Sequence, residues 1–249
     1  ADNRVDRRSE IDEWAITLAF PNGDRPLRNG KCAGVYAFLP TEMVTNLPFI
    51  IQADFFLGSS RETILLDDMW NKGILECVPL AFVNALDCLV KSVESAPISS
   101  LPRQFNFIPV NSSPYEELNT VRSKIKGMLL GMNIIPIEWD GSQKVFHKPG
   151  DVGRLPSSYR DLLDNATGPG LNLTNLSSNG WYILHSSFDR KEYEDVLNFL
   201  GVRYVDVNWY AKSIQSLNLV SQSSDTTYLD LLEFVARNWE SQFQNTLMN

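Results

Sequence analysis

Gln52-Ala53-Asp54-Phe55-Phe56-Leu57-Gly58-Ser59-Ser60-Arg61-Glu62-Thr63, continued by Ile64-Leu65-Leu66-Asp67-Asp68-Met69-Trp70-Asn71, is the stretch on which the reading of the fold turns. An apolar run ends at Ser59-Ser60, an arginine follows, and an amphipathic pattern begins. The expectation is a strand leading into a helix start, which would hold Arg61 at a fixed point with its guanidinium facing outward. Guanidinium is permanently charged and presents a planar fork of donors suited to carboxylate or phosphate. Ser59-Ser60-Arg61-Glu62 also has the spacing of a capping box, with Ser59 as N-cap and Glu62 returning a hydrogen bond. Such a cap contributes about 1 kcal/mol and needs no ligand. In that plainer reading Arg61 pairs with a carboxylate such as Asp67 or Asp68. The two readings are compatible, because a cap would fix the backbone that aims the arginine.

Working outward, residues 1–13 are polar and read as a flexible N-terminal segment. Trp14 to Phe20, Val35 to Leu39 and Phe49 to Phe56 read as strands, with a turn at Pro21-Asn22-Gly23-Asp24. Helical spacing then places Ile74, Val78, Phe82, Leu86 and Val93 on one face, and Pro79 should kink that helix or open a new one. Residues 14–95 are therefore expected to form one α+β domain, a small mixed sheet with packed helices. Residues 96–113, with Pro97, Pro102 and Pro109, read as a linker.

Residues 114–249 read as a second α+β unit with a helical C-terminus. Helices are expected over Tyr115–Met128, Tyr159–Leu163, Asp189–Leu200, Asn208–Leu217 and Thr226–Phe243. Strands are expected at Ile134–Trp139, Lys144–His147, Trp181–His185 and Val202–Val207. A polar loop should run from Asn165 to Asn179, and Gly201 should cap the helix before it. Strands and helices mix without βαβ regularity, hence α+β.

The 249 residues suffice for one large or two smaller cores. Hydrophobic content of 43% and charged content of 21% are those of an ordinary soluble globular chain. A net charge of -8 argues against nucleic-acid binding, since Arg4, Arg7 and Arg8 are diluted by acidic neighbours. Cys32, Cys77 and Cys88 are odd in number and widely spaced, which fits reduced thiols in an intracellular protein of the nucleus or cytoplasm. The sequons beginning at Asn111, Asn165, Asn172 and Asn175 then read as polar loop sequence. No apolar run approaches the ~20 residues needed to span a membrane, so no membrane partner is expected. The chain starts in charged sequence without Met and ends at Met248-Asn249, and reads as a piece of something longer.

The stretch from Gln52 to Glu62, with Asp68-Met69-Trp70-Asn71, resembles a segment of sacsin and of plant NO VEIN-like proteins. Ile16 to Pro21 resembles the same family, as do Phe199-Leu200-Gly201-Val202, Asn208-Trp209-Tyr210 and Ala236-Arg237-Asn238-Trp239. That resemblance implies a large parent protein with an Hsp90-like ATPase domain. Leu57-Gly58-Ser59-Ser60-Arg61-Glu62 is also similar to the Leu-Asn-x-Ser-Arg-Glu segment of the Hsp90 middle domain, in which the Arg reaches the γ-phosphate of ATP held by a preceding domain. By that resemblance Arg61, with Ser60 beside it, is the phosphate-contacting site. ATP with Mg is implied for the parent protein, and the partner is an N-terminal ATPase domain of the same polypeptide. The family's Asn position is Gly58 here and its Gln position is Leu65, which favours phosphate sensing over efficient hydrolysis. The nucleotide-binding motifs of that ATPase class are absent: Asn84-Ala85-Leu86-Asp87 has the wrong spacing, and Asp151-Val152-Gly153-Arg154 lacks a second glycine. No cofactor is expected in this chain itself.

Other constellations read as structure. His147 and His185 have no Cys at ligand spacing, so no metal site is expected. Ser186, His185 and Asp189 could compose a hydrolase triad, but G-x-S-x-G is missing. Gly168-Pro169-Gly170 lacks the Lys of a phosphate loop and reads as a turn. Trp14, Trp70, Trp139, Trp181, Trp209 and Trp239 read as core anchors whose indole N–H finds a partner. Three functional expectations follow. The first is a middle-type module presenting Arg61 to an ATPase domain. The second is a non-catalytic interaction scaffold binding partner or client proteins, in which Ser-Arg-Glu is only a helix cap. The third is an independent enzyme in the second half.

Overall fold

Short apolar runs broken by Gly, Pro and Asn give short strands, and the sheets are correspondingly small. The computed structural model describes residues 8, 10, 11, 13–21, 34–91, 102–138, 144–167, 181–216 and 224–239. The expected turn at Asn22-Gly23-Asp24, the linker residues 96–101, Cys32, Trp139, the loop over 168–179 and the helical residues 240–243 lie outside the described residues. The chain divides into two compact units, residues 1–131 and 132–249.

In the first unit β1 (Thr17–Ala19), β2 (Val35–Ala37), β3 (Leu39–Pro40) and β4 (Ile50–Gln52) form a mixed sheet in the order β1-β4-β2-β3. β4 runs antiparallel to β1, with Leu18 opposite Ile51, and parallel to β2, with Val35 opposite Ile51. β2 and β3 form a hairpin through Phe38, whose φ of 66° is left-handed. Pro40 sits on the edge strand, where its missing N–H removes no ladder bond.

Helix α1 (Met69–Lys91) buries Trp70, Ile74, Val78, Phe82, Leu86 and Val90, a four-residue spacing that defines one face. Phe82 meets Phe49 with ring centroids 4.8 Å apart, and Phe20 extends the cluster to Phe107 at 4.9 Å. By length and composition α1 would suffice to cross a bilayer, yet half of its apolar window is buried inside the unit. Pro79 lies within one continuous helix rather than opening a second one. It lacks only the N–H that would have reached residue 75.

Four expectations are corrected here. No helix starts at Ser59: Ser59 and Ser60 are a turn, and α1 begins at Met69. The side chain of Asp68 is the true cap, accepting from the N–H groups of Trp70 at 2.8 Å and Asn71 at 3.3 Å. Helix α3 (Glu116–Leu130), assigned from sequence to the second domain, packs along α1 in the first. Its buried Leu118, Val121, Ile125 and Leu129 have the right period, but period alone does not say which core receives them. The N-terminal segment is not wholly loose: Arg8 forms an ion pair with Asp54 and stacks over Phe56 at 4.8 Å and Trp70 at 5.3 Å. The short helix α2 (Pro102–Phe105) falls within the expected linker, ends at buried Phe105 and leads to buried Ile108.

The second unit opens with an antiparallel pair, β5 (Ile135–Pro136) and β6 (Phe146–His147). A three-stranded parallel sheet follows in the order β8-β7-β9: β7 (Val152–Arg154), β8 (Tyr182–Ile183) and β9 (Arg203–Tyr204). Parallel strands require crossover connections. Here they contain α4 (Ser157–Thr167) after β7 and α5 (Glu194–Leu200) after β8. Gly201 ends α5 with φ 74°, the left-handed C-cap expected of it. Gly153 in the central strand is required by proximity, since a Cβ there would lie 2.5 Å from Val205 Cγ1. Helices α6 (Val207–Ser216) and α7 (Asp225–Arg237) close the unit around Tyr159, Leu163, Ile183, Trp209, Tyr210 and Phe234. Buried Tyr159 bonds Ser213 Oγ at 2.7 Å, and burial pushes its pKa up to about 12 against that bond. The chain as a whole is mixed α+β, although β7-α4-β8-α5-β9 is a regular βαβ run that the sequence reading did not expect.

The tryptophans divide. Trp70 is buried and donates its indole N–H to the Asp54 carbonyl at 2.8 Å, as expected. Trp209 is buried with its indole N–H unpartnered among the described residues, and Trp239 is exposed. Both depart from the expectation.

Candidate functional site

Leu57 and Ile64 form an antiparallel bridge, which turns the chain between them into a tight loop with Arg61 near its tip. Gly58 N–H donates to Thr63 O at 2.9 Å, Arg61 N–H to Gly58 O at 2.9 Å, and Leu65 N–H to Phe56 O at 2.9 Å. Those bonds close the stem and preclude the helical path expected from Ser59. Arg61 adopts φ 60°, a left-handed conformation that a side-chain-bearing residue holds only when its surroundings impose it. Ser60 is exposed, and its Oγ accepts the Glu62 N–H at 3.3 Å. Gly58 is not demanded sterically, because a Cβ there would stand 3.6 Å from Thr63 Oγ1.

The loop is held from below by one buried amide. Asn71, in the first turn of α1, is fully buried. Its Oδ1 accepts the Phe56 N–H at 2.8 Å, and its Nδ2 donates to Phe56 O at 2.8 Å and Leu65 O at 2.9 Å. A primary amide is the one neutral side-chain group that can both accept and donate in this way. The block Asp68-Met69-Trp70-Asn71 thus has a physical task. Asp68 starts the helix, Trp70 ties it to Asp54, and Asn71 fixes both stems of the loop.

The Arg61 side chain is exposed, and its guanidinium makes no hydrogen bond or ion pair among the described residues. Neither Asp67 nor Asp68 pairs with it, and Asp68 is engaged as the cap. A lone guanidinium on a rigid turn is available to an anion brought from outside the unit.

A second polar cluster lies in the second unit, at the carboxyl ends of the parallel strands. Arg154 ends β7 and is buried, with Nε 2.8 Å from Asp189 and its two terminal nitrogens 2.9 and 2.8 Å from the two oxygens of Glu194. The Tyr204 ring, ending β9, stacks on it at 4.5 Å. Burial works against the charge of Arg154, but the bonds to Glu194 and Asp189 outweigh it and raise its pKa. Arg160 on α4 donates to Glu138 at 2.7 Å and to the Leu184 carbonyl at 3.0 Å. Glu138 also accepts the Ser186 N–H at 2.8 Å. Sequence reading saw Arg154 only as the end of an incomplete glycine motif and missed the cluster, whose members are scattered from 138 to 204.

No hydrolase forms there. His185 Nδ1 accepts the Ser187 N–H at 3.2 Å, and Asp189 is committed to Arg154. The histidine therefore carries no bond to Ser186 and none to Asp189 that would make a triad. Among the described residues no group of three or more His, Cys, Asp or Glu could hold a metal ion. Each carboxylate of the cluster contacts a guanidinium, and the cluster reads as the brace of the loop from His185 to Arg190.

Burial disfavours the charged form of both histidines. Burial lowers the pKa of His185, against the attraction of Glu138 and with the help of Arg160. Burial also lowers that of His147, against the attraction of Asp151. A folded pKa below the unfolded one means that the unfolded chain binds protons first as pH falls. Stability of the second unit is therefore expected to drop between about pH 7 and 5. The check is urea unfolding with the second unit followed by hydrogen exchange of its amides. Changing both histidines to glutamine should flatten the slope in that window. Glu194 acts lower: its bond to Arg154 lowers its pKa, so its contribution fades only below the ordinary carboxyl range.

Over 113 residues the chain is 32% identical to Protein NO VEIN of Arabidopsis thaliana, a match covering 45% of this chain and 4% of that protein. The match supports a NO VEIN-like relationship for part of the chain, which corresponds to a small fraction of that protein's length. No family model matches the chain, and no solved structure matches it.

Proposed function

We propose that this chain is a middle-type module of an Hsp90-like, sacsin/NO VEIN-like protein, which presents Arg61 to the γ-phosphate of ATP bound by an ATPase domain elsewhere in the parent polypeptide. One observation carries the reading: Arg61 is exposed and unpaired among the described residues, yet its backbone is fixed in a left-handed conformation by a loop clamped to α1. Surface arginines without a task generally sit on relaxed backbone. Strain held in place at a polar tip is characteristic of contact sites. The 32% identity to Protein NO VEIN is compatible with a module of a much larger protein. Gly58 and Leu65, where the Hsp90 segment has polar residues, favour sensing of the nucleotide state over acceleration of hydrolysis.

In the parent polypeptide, Arg61→Ala is expected to abolish ATP-dependent domain closure and to lower turnover about tenfold or more. Arg61→Lys should restore little, since an ammonium lacks the fork. Arg61→Gly should fold at least as well as the natural chain, because it removes the left-handed strain, and should still fail in closure. Closure is read by fluorescence transfer between labels on the ATPase domain and this module. Unchanged closure and turnover in Arg61→Ala would remove the residue from any nucleotide mechanism and leave the scaffold reading.

A further inference from the structure

Helix α7 carries two apolar faces. One, with Thr227, Leu231 and Phe234, is buried in its own unit. The other faces solvent: Leu229 is 62% exposed, Leu232 46%, and Trp239, just past the C-cap Asn238, 37%. Ala236 between them is exposed as well. Leu229, Leu232 and Ala236 are spaced by three and four residues, the a, d and a positions of a heptad, and Trp239 follows beyond the helix end. A ridge with that spacing is half of a helix–helix seam. An extended strand has a period of two and would not match it.

The flanking charges decide what kind of helix fits. Glu233 lies at e beside the ridge, Asp225 occupies d one heptad before Leu232, and exposed Tyr228 lies at g. The one basic residue of the helix, Arg237, is at b, away from the ridge, where it pairs with Glu233 four residues back. A second copy of α7 running antiparallel would bring Glu233 against Glu233. Running parallel, it would bring Glu233 against Tyr228, so neither arrangement gains an opposite-charge pair. A helix with Lys or Arg beside its own apolar ridge gains one in either direction.

We propose that the exposed face of α7 docks an amphipathic helix of a protein partner whose a/d ridge is flanked by lysine or arginine. This does not depend on Arg61 or on nucleotide. The test uses the full chain and two synthetic helices with Leu at a and d, one bearing Lys and the other Glu at e and g, titrated by fluorescence anisotropy. The Lys helix is expected to bind at least about tenfold more tightly than the Glu helix, and Leu229→Glu or Leu232→Glu should each weaken it by about tenfold or more. Glu233→Lys should reverse the preference between the two helices. Because Leu229 and Leu232 face solvent, the variants should retain the natural circular-dichroism melt, which keeps loss of binding distinct from loss of fold. Equal binding of both helices, or binding indifferent to Leu232→Glu, would overturn the proposal. So would a concentration-dependent dimer abolished by that change, which would assign the ridge to a second copy.

Discussion

Arg154→Met is expected to destabilise the second unit by about 3–5 kcal/mol. The reason is what it leaves behind more than what it removes. Asp189 is only 7% exposed, its Oδ2 already lacks a hydrogen-bond partner, and its Oδ1 depends on Arg154 Nε. Without the guanidinium, the nearest cation is Arg160, 3.8 Å from Oδ2 and already bound to Glu138. A buried carboxylate in that position must protonate or admit water, and both weaken the brace of the loop after β8. Glu194, 40% exposed, can find solvent, so Glu194→Gln should cost under about 1 kcal/mol. Arg154→Lys should fall between the two, since it keeps the charge but loses the fork. The double change Arg154→Met with Asp189→Leu should recover part of the loss, because an apolar pair leaves no orphaned charge. Denaturant unfolding, followed by hydrogen exchange of the second unit's amides, checks all four variants. An Arg154→Met chain as stable as the natural one would show that the cluster is ornamental.

Asn71→Leu is expected to cost the first unit about 3 kcal/mol and to loosen the Arg61 loop at the same time. The three lost bonds are not equivalent. Phe56 O retains the Leu65 N–H, and Leu65 O retains the Asp68 N–H at 3.2 Å, so both carbonyls keep one donor. Phe56 N–H, on a half-buried residue, loses the one acceptor it has among the described residues. Most of the expected loss therefore sits on that single amide, which should change from protected to rapidly exchanging in hydrogen-exchange measurements. Asn71→Asp is expected to be no better than leucine. It restores an acceptor for Phe56 N–H, but it aims a second oxygen at two carbonyls that need a donor. If Phe56 stays protected in Asn71→Leu, the loop is held by the Leu57–Ile64 bridge alone and Asn71 is not its clamp.

The helices and most strands were legible in the sequence because their faces are set by local period. α3, the C-terminal part of the helix expected over Asp189–Leu200 with its Gly201 cap, and the central part of α1 fall where spacing puts them. The start of α1 was not legible, since two capping signals compete within ten residues and local rules favour neither. The choice is made by contacts the sequence does not display: Leu57 against Ile64, and Asn71 reaching back to Phe56. The result leaves Arg61 exposed by a hairpin rather than by a helix cap. The ionic cluster was illegible for a related reason. Arg154, Arg160 and Asp189 each look like ordinary surface residues in their own neighbourhoods, and only the parallel sheet brings them to one edge. Assigning α3 to a domain failed because an amphipathic face predicts burial without naming the partner.

The strand order β8-β7-β9 bears on how the polypeptide leaves the ribosome. Val152 pairs with Tyr182, and Gly153 pairs with Arg203, so the middle strand is made first and waits for both neighbours. Until residue 204 has cleared the exit tunnel, one margin of that strand has no ladder and the Arg154 guanidinium lacks its Tyr204 lid. Sheets closed by such distant segments assemble slowly and expose sticky margins meanwhile. A nascent chain stalled shortly before Arg203 is thus the form of this molecule most in need of a chaperone.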